Sequence, residues 1–277
     1  VFSPYYAWAR RRGPAAAADF SALNVALYRP GGNRWAMTER PGRALSRTAE
    51  TFTVGPSAVH FDGRCLTVMI DERGAPLPAR IRGEVRLEAA ALTDRTFHLD
   101  AAGRHCWRPL APSARVTVAM QDPAWRWQGS GYFDSNSGTE PLADGFRHWT
   151  WCRAPLADGG TAVFYDVARR DGSALSLGLR LDGTGGVREI AVPPFVPLPR
   201  SLWRIDRAVR ASPQAAAGPA PRVVRTLEDA PFYARSLVAT AIDGNPVLAM
   251  HESLSLDRFR RPWVQMLLPF RMPRMWR

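Results

Sequence analysis

Not one lysine occurs in the 277 residues, so all 37 basic side chains are arginine. Cysteine is scarce too: Cys65, Cys106 and Cys152 stand far apart and odd in number. No CxxC pair exists, which excludes a zinc ribbon and a thioredoxin-like site, and an odd count argues against a disulfide framework. A reducing compartment is therefore expected. Nowhere does an uninterrupted apolar run approach the roughly 18 residues that a spanning helix needs, so an integral membrane protein is not expected. The five histidines are dispersed and show no metal-ligand spacing. His251-Glu252-Ser253-Leu254-Ser255 begins like a zinc-protease helix, but its fifth residue is Ser rather than His. There is no GxSxG elbow, no GxxxxGK[ST] phosphate loop and no complete GxGxxG, so no metal or nucleotide cofactor is indicated.

What is present is ordinary globular material, 46% hydrophobic and 22% charged, which excludes wholesale disorder. Acidic residues number only 25, leaving a net charge of +12. The arginines are mostly scattered, with short clusters at Arg10–Arg12, Arg169-Arg170 and Arg260-Arg261 and a basic tail from Arg271 to Arg277. Without a zinc-finger, basic-helix or RNA-binding signature, this charge does not read as nucleic-acid binding. Attraction to anionic lipid suits it better, and the Met and Trp of the tail fit an interfacial anchor. A solvated surface is the plainer use of the same charge. Because the chain begins at Val1 rather than Met, an upstream segment is expected.

Short runs of β-formers recur between turn signals such as Asp158-Gly159-Gly160, Asp171-Gly172 and Asp182-Gly183. The spacing predicts strands at Leu23–Tyr28, Arg34–Thr38, Cys65–Ile70, Arg80–Leu87, Arg115–Met120, Trp125–Gln128, Phe146–Cys152, Thr161–Val167, Ala174–Leu181 and Leu202–Arg207. Gly183–Gly186 reads as a hairpin turn, Ser212–Pro221 as a flexible surface loop, and Leu256–Leu268 as a helix interrupted by Pro262. Many short strands without long helices predict an all-β protein of antiparallel sandwiches or barrels. The expected domains are residues 1–142, carrying the acid motif, and 143–277.

One region is dense in polar and aromatic side chains. Five of the ten tryptophans lie between residues 107 and 151. His105 with Trp107, Trp125 with Trp127, Tyr132 with Asp134, and Trp149 with Trp151 are each spaced i, i+2, so each pair shares a face of a strand. Asp134 has two readings: an aspartate capping its own turn, or an acid in an apolar pocket with a raised pKa. The aromatic pairs likewise fit either core packing or a ligand site.

These same residues carry a family resemblance. VFSPYYAWARRR from Val1, LNVALY from Leu23, RWAMTER from Arg34, GRHCWRPLAP from Gly103, GYFDSN from Gly131, LEDAPFYARS from Leu227, HESL from His251 and LPFRMPR from Leu268 resemble, in order, the carotenoid 1,2-hydratases, or hydroxyneurosporene synthases, of phototrophic bacteria. The resemblance implies two packed lipocalin-like antiparallel β-barrel domains. It also implies cofactor-independent addition of water across the terminal carbon 1–carbon 2 double bond of acyclic carotenoids, lycopene or neurosporene. His105, Trp107, Tyr132 and Asp134 look like the catalytic set, with Asp134 as the acid. His105 is expected to hold the water or to orient Asp134, and Trp107 and Tyr132 to face the cation. Trp149, Trp151 and Phe133 are the expected substrate contacts. A carotenoid partitions into lipid, so a cytoplasmic enzyme peripheral to the photosynthetic membrane is expected. The alternatives are a non-catalytic carrier of apolar ligands and a related isoprenoid isomerase or cyclase.

Overall fold

A computed structural model describes residues 2–211 and 220–275. Antiparallel strands dominate it, as the alternating pattern predicts, and the chain folds into two units. The first unit comprises Val1–Ala89, Arg115–Gly131 and Gln265–Arg277; the second comprises Ala90–Ala114 and Tyr132–Val264. A division between residues 142 and 143 falls inside the second of these.

In the first unit, β1 (Ser21–Leu27) and β2 (Arg34–Arg40) form a hairpin. β3 (Leu45–Arg47), β4 (Thr51–Val54), β5 (Ser57–Phe61), β6 (Cys65–Arg73) and β7 (Arg80–Ala89) follow as an antiparallel meander. After β8 (Phe97–His98), β9 (His105–Asp122) and β10 (Ala124–Gly138) continue this sheet. The unit's core gathers Val25, Leu27, Ala36, Ile70, Ile81, Val116, Val118 and Met120, the inward-facing members of alternating strands. The described part of the basic tail packs here. The Arg271 guanidinium lies 4.3 Å from the centre of the Trp35 ring. Arg274 pairs with the buried Glu39, whose backbone exchanges hydrogen bonds with Pro273 and Met275. Trp276 and Arg277, and all of Ser212–Pro221 except Ala220 and Pro221, lie outside the described residues.

The second unit holds residues 105–114 of β9 and 132–138 of β10. Its main sheet is formed by β11 (Phe146–Pro155), β12 (Thr161–Arg169), β13 (Ala174–Leu181), β14 (Val187–Glu189), β17 (Arg222–Ala230), β18 (Tyr233–Ile242) and β19 (Asn245–Ser255), in the order β14-β13-β12-β11-β19-β18-β17. β15 (Phe195–Leu198) and β16 (Arg207–Arg210) pair separately. The three successive strands expected from residue 146 onward are present as β11–β13. Alternation gives this sheet two chemically distinct faces. Cys152, Ala154, Ala162, Phe164, Val238 and Ala249 pack on one with Leu198 and Val209. Trp149, Trp151 and Arg153 project to the other.

One local expectation changes, and another is met. Leu202–Arg207 is a turn up to Asp206, with Arg204 at φ 59, rather than a strand. The Asp229 carboxylate takes hydrogen bonds from the Ser201 hydroxyl and from the Leu202 and Trp203 amides, and so removes those two amides from any ladder. The helical stretch after β19 splits into Leu256–Phe259 and Pro262–Leu267, with Pro262 opening the second piece where its missing N–H costs nothing.

Candidate active site

β10 decides the local chemistry. Its period of two turns Tyr132, Asp134 and Asn136 to one side and Phe133 to the other. Tyr132, Asp134 and Asn136 line a cavity of about 390 Å³, whereas Phe133 is not among its walls. The opposite wall comes from antiparallel register. Tyr165 on β12 is paired with Trp151 on β11, Trp151 with Glu252 on β19, and Glu252 with Arg235 on β18. These four, with Trp149, Arg153 and Met250, complete the lining.

Asp134 is half-buried, and its carboxylate does not cap a turn. Oδ2 accepts the indole Nε1–H of Trp107 at 2.7 Å and the phenol of Tyr132 at 3.0 Å. Oδ1 accepts nothing from the described residues. Burial raises the pKa of Asp134 above the usual aspartate value, and the negative charge of Glu252 adds to this, while the Trp107 and Tyr132 donors pull the other way. The outcome is a carboxyl group that keeps its proton to higher pH than a solvated aspartate, with two fixed donors ready for its conjugate base. Burial, then the neighbouring Asp134, pushes the Tyr132 phenol well above its ordinary range, so it serves as a neutral donor. Tyr165 is raised for the same reasons, with Glu252 contributing.

Trp107 is fully buried and is not a wall of the cavity. It packs between Phe97 (ring centres 5.4 Å apart) and the edge of Tyr165 (5.2 Å), which aims its N–H at Asp134. Trp149 and Trp151 line the cavity. The Trp151 ring lies 5.4 Å from that of Tyr132. His105 shares a strand with Trp107, but its Nε2 bonds Glu140 Oε1 at 3.2 Å and its ring packs on Phe146 at 4.6 Å. It makes no hydrogen bond to Asp134 among the described residues and does not line the cavity.

Sequence reasoning passed over Asn136, Arg153, Tyr165, Arg235, Met250 and Glu252. Three of these lay inside stretches already singled out: Asn136 in GYFDSN, Arg235 in LEDAPFYARS and Glu252 in HESL. Arg235 Nη2 stands 2.7 Å from Glu252 Oε1, so the second carboxylate of the cavity is ion-paired with its cross-strand neighbour. Among the described residues no three His, Cys, Asp or Glu side chains are grouped to hold a metal ion.

All of residues 1–277 match the family model for the carotenoid hydratase CrtC. The chain belongs to the carotenoid hydratase family. Curated relatives agree. The acyclic carotenoid 1,2-hydratase of Thiocapsa roseopersicina is 52% identical over 275 residues, covering 99% of this chain and 67% of its own length. Its namesake in Rubrivivax gelatinosus is 45% identical over 279 residues, again covering 99% and 67%. That of Cereibacter sphaeroides is 44% identical over 275 residues, covering 99% and 95%. The chain is thus an enzyme of the hydro-lyase type. Among solved structures, an AttH-type protein from Nitrosomonas europaea shares the fold, with a TM-score of 0.53, 14% identity, and 84% of this chain and 80% of that one covered. That likeness bears on the fold alone and fits the all-β, lipocalin-like class expected from the sequence.

Proposed function

We propose that this hydratase adds water across the terminal carbon 1–carbon 2 double bond of acyclic carotenoids such as lycopene and neurosporene, without a cofactor, and that Asp134 is its acid. The observation that carries the assignment is the pair of donors from Trp107 and Tyr132 on one oxygen of a half-buried carboxyl that faces an aromatic-lined cavity. The names of the curated relatives supply the reaction.

The chemistry follows from what these groups can do. Protonation of carbon 2 by Asp134 Oδ1 leaves a tertiary cation at carbon 1. An aspartate of ordinary pKa is only ~0.1% protonated at pH 7, and each unit of upward shift raises that fraction about tenfold. Burial supplies such a shift. Too large a shift would leave a weak acid, and the two donors limit it by stabilising the carboxylate as it forms. The cation meets the faces of Tyr132, Trp149, Trp151 and Tyr165, each worth up to about 2 kcal/mol in a desolvated site. Trp107 acts through its N–H rather than its ring face. Glu252, paired with Arg235, orients the attacking water and takes its proton as the carbon–oxygen bond forms. The product is a tertiary alcohol. Asp134 then regains a proton from solvent, and Glu252 releases one. His105 supports the site through Glu140 and the strand it shares with Trp107, as a positioning residue.

A carotenoid dissolved in lipid places the working enzyme at a membrane surface on the cytoplasmic side, in keeping with a charge of +12. No helix among the described residues is long and apolar enough to cross a membrane. The test of the reaction class is turnover of detergent-dispersed lycopene by dialysed protein with no additions. Formation of the alcohol, unchanged by chelator or added nucleotide cofactors, is expected. Lycopene that binds without turning over would instead favour a carrier.

A further inference from the structure

The turn at Leu202 and Trp203 makes an exposed apolar display that nothing in the catalytic site requires. Leu202 is 95% exposed and Trp203 is 42% exposed. The Trp203 ring stacks on that of Trp263, itself 40% exposed, with centres 6.2 Å apart and planes at 25°. A lone exposed leucine is ordinary. This one is held up by a dedicated brace. Asp229 accepts from Ser201 Oγ at 2.7 Å, Leu202 N at 2.6 Å and Trp203 N at 3.4 Å. From the other side, Arg258 Nη1 donates to the carbonyls of Trp203 at 2.7 Å and Arg204 at 3.1 Å. Arg204 accepts a left-handed backbone, φ 59, that a residue with a side chain rarely adopts. Backbone strain and two charged side chains are thus committed to fixing an apolar tip in water.

The surroundings are basic. Exposed Arg204 and Arg261 flank the two indoles in sequence, and with Arg260 they have no carboxylate partner among the described residues. Arg200 is paired with Asp206. A projecting leucine with two indoles beside it, rimmed by arginine, matches the layers of a bilayer surface. Acyl chains take the leucine, the interfacial zone takes tryptophan, and anionic headgroups take arginine. A second protein would need a cavity shaped to receive the point, whereas lipid deforms around it.

We propose that the braced Leu202-Trp203 turn, with Trp263 and its arginine rim, docks this protein on an anionic lipid surface. The proposal rests on the reading that the substrate is lipid-borne. Its test uses no carotenoid, so failure of docking and failure of hydration are separate results. The full chain is sedimented with vesicles of phosphatidylcholine alone or with 30% phosphatidylglycerol. Wild type is expected to bind the anionic vesicles and to lose most of that binding in 0.5 M salt. Leu202→Asp, at a position too exposed to matter for folding, is expected to weaken binding at least tenfold while leaving the melting temperature unchanged. Arg204→Gly suits the left-handed backbone and should fold well; removing one rim charge is expected to weaken binding about fivefold. Wild type that ignores anionic vesicles, or variants that bind as wild type does, would overturn the proposal. So would a dimer that Leu202→Asp dissolves without any vesicle binding, since it would assign the turn to self-association.

Discussion

Asp134 illustrates how one side chain is set between two demands. It must hold a proton near neutral pH and still surrender it to a carbon atom. Burial serves the first demand; the Trp107 and Tyr132 donors serve the second. Because the protonated form is the active one, kcat/KM should fall as pH rises through the elevated pKa of Asp134. Tyr132→Phe removes a donor that lowers this pKa, so its profile should break at a higher pH and reach a lower plateau. A break that moves to lower pH in a pH–rate series would contradict the assignment. Trp107→Phe keeps the Tyr132 donor and should retain a measurable fraction of turnover. Stability carries the same signature. A carboxyl whose folded pKa is raised contributes fully below its unfolded pKa of about 3.9 and loses that contribution as pH rises through the folded value. Asp134→Asn should therefore melt above wild type at pH 7–8 and level with it near pH 3, by calorimetry.

Strands turn these single residues into a site. Much of that was legible in the sequence, because period-two alternation needs only neighbours: it placed Tyr132 with Asp134 and Trp149 with Trp151. The far wall was not legible. Glu252 and Arg235 reach the cavity through register between β11, β19 and β18, a pairing of residues distant in sequence that no local pattern encodes. Leu202–Arg207 failed as a strand for a similar reason, since the Asp229 that claims its amides lies more than twenty residues on. The capping reading of Asp134 lost to Trp107 on β9 and to Tyr132 on its own strand. The assignment of Glu252 is open to a sharp test. Glu252→Gln should cut alcohol formation about 100-fold. Azide, a nucleophile that needs no base, should still be captured by the cation and give a tertiary azide. Loss of azide adduct and alcohol together, in a folded variant, would mean that Glu252 only supports the wall. Glycine matters at one junction. A Cβ on Gly145 would lie 2.8 Å from His105 Nε2, and one on Gly138 would lie 2.7 Å from Nδ1. Gly145→Ala should displace the His105 ring from Glu140 and lower turnover several-fold, with a shift in the ring's NMR signals as the check.

Across the whole molecule, composition spoke more plainly than architecture. Full-length membership of the hydratase family was visible as eight ordered stretches, while a solved structure at 14% identity shares only the fold. The two units interleave along the chain, so that β9 and β10 each contribute to both, a division that no linker or composition shift advertises. The charge of +12 belongs at this scale, but its ends are used unequally. The described part of the basic tail is tied to Glu39 and Trp35, whereas the rim around Leu202 and Trp203 stands clear. Most direct is a measurement of the reaction itself, made on wild type and Asp134→Asn side by side with lycopene in oxygen-18 water and no cofactor. The account predicts a labelled tertiary alcohol from wild type and almost none from the variant. Equal labelling by Asp134→Asn would remove Asp134 from the chemistry and contradict the mechanism.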